Sequence, residues 1–166
     1  AANGYLIEQF LNANVNQRAD AYGGGISGRN RFALEVARAT VAAVGAHRVG
    51  IRLSPYGVFN STGAFADVEA QYLALTEKLS ELGLLYLHLL DHSAMGAPPV
   101  PAEFKLQVRQ AFKGLFILAG GFDRAARARR PRPGLPRAGQ DIQCRRADVL
   151  QGRGRCPGRS ARTAAG

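Results

Sequence analysis

The chain has 166 residues, 46% of them hydrophobic, and a formal net charge of +10. That is the length of one domain with a real core, and no run approaches the roughly 18 consecutive apolar residues that a membrane-spanning helix needs. Two cysteines, Cys144 and Cys156, form neither a disulfide framework nor a metal-ligand spacing, so a reducing compartment, the cytoplasm, is the expected location.

The charge is unevenly placed. Residues 1–123 carry ten Lys or Arg and ten Asp or Glu, while residues 124–166 carry twelve arginines against Asp141 and Asp148. The whole excess therefore lies in the tail, which also holds Pro131, Pro133, Pro136 and Pro157 and has no phenylalanine, tyrosine or lysine. Without a period of 3.6 or 2 it cannot bury a face. One reading is an arginine-rich arm that binds RNA or DNA through phosphate contacts, making the chain a non-catalytic basic protein. The reading preferred is that lysine-free Arg/Pro/Gly/Ala text comes from a GC-rich gene read out of frame. The break at Arg124 falls in mid-pattern, whereas a basic arm normally follows a finished domain. Nucleic acid is accordingly not the expected partner.

The first residues, AANGYLIEQFLN, lack an initiator methionine and have no basic n-region, long apolar core or cleavage pattern of a signal peptide. The expectation is a chain that has lost its beginning. In an extended segment side chains at i and i+2 share a face, so Asn3 and Tyr5 are expected to point the same way from the end of a first strand. An Asn-Gly turn beside a packed tyrosine is also ordinary loop chemistry. Loop signals in NANVNQRADAYGGG follow, and then RFALEVARATVAAVG, a helix with Phe32, Val36, Ala39 or Thr40 and Ala43 on one face and Gly45 as its stop. Val49 to Ser54 reads as a buried strand around Arg52. Such an arginine must meet an anion or acceptors, as a cofactor or as a structural ion pair.

A loop, PYGVFNSTGAF, leads to a helix from about Asp67 to Leu82, stopped by Gly83. LLYLHLL is the next strand, and His88 within it reads as a satisfied core histidine. Helix breakers at Gly96, Pro98, Pro99 and Pro101 precede a helix over about Ala102 to Phe112, and GLFILAGG is the last strand. Four apolar strands alternating with three helices describe a parallel α/β protein. Doubly wound sheets and (β/α)8 barrels share this order. No G-x-G-x-x-G follows a strand, and polar residues or glycines recur at strand ends (Asn3, Tyr5, Arg52, His88, Gly120, Gly121), which favours the barrel. Four strands are about half of one, since eight such units need about 250 residues. Exposed strand edges in a half-barrel predict self-association, as a homo-oligomer or an aggregate.

Residues 1–123 resemble the old yellow enzyme family of flavin-dependent ene-reductases. AANGYLIEQFL is similar to the family's H-x-A-N-G-Y-L with its following Q-F-L, the histidine falling one residue before Ala1. NQRADAYGGGISGRNRF resembles N-x-R-x-D-x-Y-G-G-S-x-E-N-R-x-R-F, departing at Gly25, Ser27 and Gly28, which are loop and helix-start positions where a cap is loosened. GIRLSP resembles the strand whose arginine reaches the flavin, and ILAGGFD the strand whose glycines approach its phosphate.

The resemblance implies barrel strands four to seven and FMN as cofactor, with NAD(P)H as reductant. The substrate would be a small activated alkene, an α,β-unsaturated carbonyl or nitro compound. Tyr5 would be the general acid, a phenol that stays protonated at neutral pH because its pKa is about 10. Asn3 would hydrogen-bond the substrate oxygen where negative charge develops. Arg52 would sit at the flavin pyrimidine edge, and Gly120 and Gly121 would admit the FMN phosphate. Arg18, Arg29 and Arg31 are expected to be salt-bridged or solvated. ADVLQGRGR is similar to the family's A-D-x-x-x-x-G-R but one residue short in spacing, so Arg153 receives no role. The family's F-G-R phosphate motif is not matched, and with the histidine and the first-half strands also unmatched, this chain reads as an incomplete fragment whose own activity is in doubt.

Translating the encoding DNA in the other two frames downstream of codon 123 is expected to restore a helix, an apolar strand and an F-G-R motif. If neither frame does so, the arginine tail belongs to the protein.

Overall fold

The structure, a computed structural model, describes residues 1–121. The division into a 1–123 fragment and a 124–166 tail, and every expectation about the tail, falls at or beyond the limit of the described residues.

Four helices and three strands follow one another. They are α1 (Leu6–Leu11), α2 (Ile26–Val44), β1 (Gly50–Leu53), α3 (Val68–Glu81), β2 (Tyr86–Leu90), α4 (Ala102–Ala111) and β3 (Leu115–Ala119). The strands form one parallel sheet in the order β1-β2-β3. Each crossover between them is a helix, as parallel pairing requires.

The pleat sorts the strand residues into two faces. Ile51 and Leu53, Leu87 and Leu89, and Phe116 and Leu118 stand in register on the helix side. There they join Tyr72, Leu75 and Leu79 of α3 and Phe104 and Val108 of α4 in the core. The opposite face carries Gly50, Tyr86 and Leu115 in one row and Arg52, His88 and Ile117 in the next. Gly50 is required there, because a Cβ would lie 2.2 Å from the Tyr86 ring.

The helices end where their sequences say they should. α3 buries Val68, Gln71, Tyr72, Leu75, Thr76 and Leu79, a 3.6-residue stripe, and Gly83 follows at φ 71°. Gly45 caps α2 at φ 85°. Arg29 of α2 is buried and ties three segments together: Nε donates to Gln71 Oε1 at 2.6 Å, Nη1 to the Gly24 carbonyl and Nη2 to Asp67. Arg18 pairs with Asp20 at the surface and Arg31 lies 6.0 Å over the Tyr22 ring. The starting cap of α2 is bare, since Gly25 offers no side-chain hydrogen bond.

Two expectations are corrected. The buried stripe of α2 is Arg29, Asn30, Ala33 and Ala37, while Ala39, Thr40 and Ala43 are exposed. The helix begins at Ile26, earlier than its apolar pattern indicates, and small alanines let it approach closely. Phe32 instead stacks on Phe10 of α1 at 4.3 Å. The expected first strand is also replaced among the described residues, where the sheet has three strands. Asn3 and Gly4 take φ 61° and 70°, left-handed values no strand can hold, and α1 starts at Leu6.

Candidate active site at the carboxyl end of the sheet

Arg52 and His88 stand within β1 and β2, and a cluster of polar residues and glycines gathers where the three strands end. Ser54 follows β1, Asp91 and His92 follow β2, and Gly120 and Gly121 follow β3. The Asn3-Gly4 turn is brought to the end of β1 by the Asn3 N–H, which donates to Ser54 Oγ at 2.9 Å.

This turn is clamped on two sides. From below, Glu8, at 1% exposure, accepts from the Gly4 N–H (2.5 Å), from Ser54 Oγ (2.6 Å) and from the Tyr72 hydroxyl (3.3 Å). From above, Asn60 Nδ2 donates to the Asn3 carbonyl at 3.1 Å. A Cβ on Gly4 would lie 2.1 Å from the Phe59 carbonyl oxygen, so only glycine fits between the two clamps. Asn60 and Ser61 are themselves left-handed, at φ 53° and 65°. Burial pushes the Glu8 carboxyl pKa up, and the hydrogen bonds from Gly4, Ser54 and Tyr72 pull it part of the way back.

Asn3 and Tyr5 are therefore held together by a turn and not by strand alternation. The Asn3 side-chain oxygen is buried with no hydrogen-bond partner among the described residues. Tyr5 is 68% exposed, a phenol presented at the open end of the sheet.

Arg52 departs from expectation. It is exposed, because the sheet face it stands on is open, and it makes no ion pair among the described residues. Its charge is felt nearby. Burial first, and Arg52 second, lower the pKa values of His88 and His92, with Asp91 opposing this at His92. His88 is Arg52's neighbour in register. Its Nε2 and the Nδ1 of His92 are buried without partners among the described residues, so His88 is not the satisfied core histidine expected. His92 packs edge-on against Phe59 at 5.0 Å.

Gly120 and Gly121 take φ 80° and 66°. Their Cβ positions are already claimed, 1.9 Å from the Asp91 carbonyl oxygen and 2.6 Å from its Oδ2. Asp91 thus accounts for both glycines on that side. Its carboxylate is fixed by Lys105 Nζ at 2.7 Å, the Ser93 N–H at 2.9 Å and the Val100 N–H at 3.2 Å. Burial would raise its pKa, but Lys105 and Ser93 outweigh that and hold it low.

Glu8, Ser54, Asn60, Asp91 and His92 are the members of this cluster that sequence reasoning missed. The one available signal was an acid inside the apolar run LIEQFL directly after an Asn-Gly pair.

The histidines give a stability test. Their folded pKa values lie below the ordinary 6.5, so as pH falls through about 6.5 the unfolded chain takes up protons that the folded chain refuses, and stability is lost. Glu8, with a raised pKa, acts in the opposite sense at lower pH. Urea midpoints are expected to drop between about pH 7.5 and about pH 5.5, and to drop less in the His88→Asn/His92→Asn double variant. An equal drop in both proteins would contradict this.

Comparison with known proteins places the chain. A family model described as NADH:flavin oxidoreductase / NADH oxidase family matches residues 1–131. Aldehyde reductase FrzD of Cladobotryum sp is 53% identical over 125 residues, covering 74% of this chain and 33% of that protein. The 12-oxophytodienoate reductase 2 of Arabidopsis thaliana is 42% identical over 125 residues, with the same two shares. Morphinone reductase superposes with a TM-score of 0.70 at 41% identity, over 77% of this chain and 34% of that one. The chain spans about a third of the length of these relatives. Its three strands are consecutive staves of a (β/α)8 barrel, and the chain belongs to the NADH:flavin oxidoreductase / NADH oxidase family, the old yellow enzymes.

Proposed function

We propose that this chain carries part of the active site of an FMN-dependent ene-reductase, which reduces the activated C=C bond of α,β-unsaturated carbonyl or nitro compounds with NAD(P)H. The observation that carries the reading is an exposed arginine without an ion pair among the described residues, on the inner face of a parallel sheet. Beside it lies the turn that bears Asn3 and Tyr5. Barrel enzymes bind and react their substrates at this end of the sheet. Relatives named as reductases, and a morphinone reductase solved in complex with tetrahydroNAD, support the reaction class and the nicotinamide.

The residues present fit an anionic flavin. Arg52, without an ion pair among the described residues, would offer a cation to the electron-rich pyrimidine edge, and His88 Nε2 beside it, without a partner among the same residues, can meet a further polar atom. Gly120 and Gly121, exposed and turned by Asp91, offer backbone to a phosphate on the side Asp91 does not fill. A bound FMN would supply the hydride chemistry between the nicotinamide and the β-carbon of the alkene. Asn3 would hold the carbonyl or nitro oxygen through its side-chain NH2, and Tyr5 would give its phenolic proton to the α-carbon.

The chain divides near residue 123, a reading supported by the charge shift there, while the family match runs on to residue 131. Strand edges of β1 and β3 that lack a second partner among the described residues support self-association. No described helix is long and apolar enough to cross a membrane, and two cysteines at no disulfide spacing support a cytoplasmic location.

In the FMN-loaded protein, Tyr5→Phe is expected to slow flavin reoxidation by an enone about a hundredfold or more while leaving flavin reduction by NAD(P)H unchanged, because only the first step consumes the phenolic proton. Equal enone rates in the two proteins would remove Tyr5 from the proposed role.

A further inference from the structure

Glu8 is the most deeply buried carboxylate among the described residues, and the chemistry assigned to Asn3, Tyr5 and Arg52 does not use it. Its donors are specific. The Gly4 N–H reaches Oε2 directly. The Asn3 N–H donates to Ser54 Oγ, and the Ser54 hydroxyl donates in turn to Glu8 Oε1. One peptide N–H of the turn thus ends on the carboxylate and the one before it on the serine that donates to that carboxylate, while the Tyr72 hydroxyl gives a further donor from α3.

An ionised Glu8 can accept from the Gly4 N–H, the Ser54 hydroxyl and the Tyr72 hydroxyl at once. Among the described residues the titratable side chain facing it is the Tyr72 phenol.

Resting on the reading of Asn3 and Tyr5 as substrate-facing groups, we propose that ionised Glu8 is a positioning residue. Through Gly4 and Ser54 it holds the turn that sets the Asn3 amide and the Tyr5 phenol at the open end of the sheet. Glu8→Gln keeps the size of the side chain but removes its charge and replaces one acceptor oxygen by an NH2.

Hydrogen exchange of individual amides in the full chain, at one fixed pH, tests this without requiring catalysis. In Glu8→Gln, exchange at Asn3 and Gly4 is expected to accelerate about tenfold or more, while Leu87 and Leu89 at the centre of the sheet keep their native rates. A purely structural Glu8 would instead speed all four amides by a common factor, and that result, or unchanged rates at Gly4, overturns the proposal. Should Glu8→Gln fail to fold, Ser54→Ala decides. It is expected to release the Asn3 amide and leave Gly4 protected, and an unaltered Asn3 amide overturns the relay. Failure of the ene-reductase reading would show separately, as native protein that does not reoxidise its flavin with an enone.

Discussion

Burying a carboxylate costs several kcal/mol unless donors replace the water it loses. At Glu8 those donors are the Gly4 peptide, the Ser54 hydroxyl and the Tyr72 phenol, drawn from the opening turn, the end of β1 and α3. The requirement to satisfy one charge therefore gathers three segments that lie as far as 64 residues apart in sequence. It also fixes the turn in a left-handed conformation that asparagine and glycine tolerate better than other residues do. Asn60 closes the arrangement from the other side by holding the Asn3 carbonyl. A similar economy appears at the end of β2. There the Asp91 carboxylate is fixed by Lys105 and two peptide N–H groups, and in turn compels glycine at both 120 and 121.

The sheet itself has two unlike faces, and the contrast explains the electrostatics. The helix side is a continuous apolar core of leucine, tyrosine and phenylalanine. The other carries Arg52, His88 and Ile117 in one row. Arg52 is exposed on that open face. The histidines beside it are pushed toward neutrality by burial and by the same guanidinium. A cation without an ion pair among the described residues, next to neutral imidazoles, is an environment suited to an anion.

The order of elements was legible because apolar runs of strand length and glycine stops are local signals. Gly45 and Gly83 end helices as read, and the stripe of α3 matches its period. What escaped depended on distant partners. Alternation in an extended segment gives no hint that Asn3 will turn left-handed, because the cause is Ser54, 51 residues away. Phe32 marked the wrong face of α2 because Phe10 drew it off the core. Glu8 received no role in the sequence, because its partners Ser54 and Tyr72 lie 46 and 64 residues away. Arg52 was identified, but its expected burial failed, since a strand rich in aliphatic residues does not reveal that one side of its sheet is open. Asn3, Tyr5, Arg52, Gly120 and Gly121 came from motif resemblance, and periodicity alone would have singled out few of them.

The central claim is that the carboxyl end of this sheet faces a flavin. FMN in excess, titrated into the isotopically labelled full chain and followed by backbone and arginine side-chain NMR, tests it most directly. Saturable shifts that converge on Arg52, Gly120, Gly121 and the Asn3-Gly4 turn are the expected result. Shifts that fail to saturate, or that fall on the outer helices α3 and α4 and spare Arg52, would contradict it.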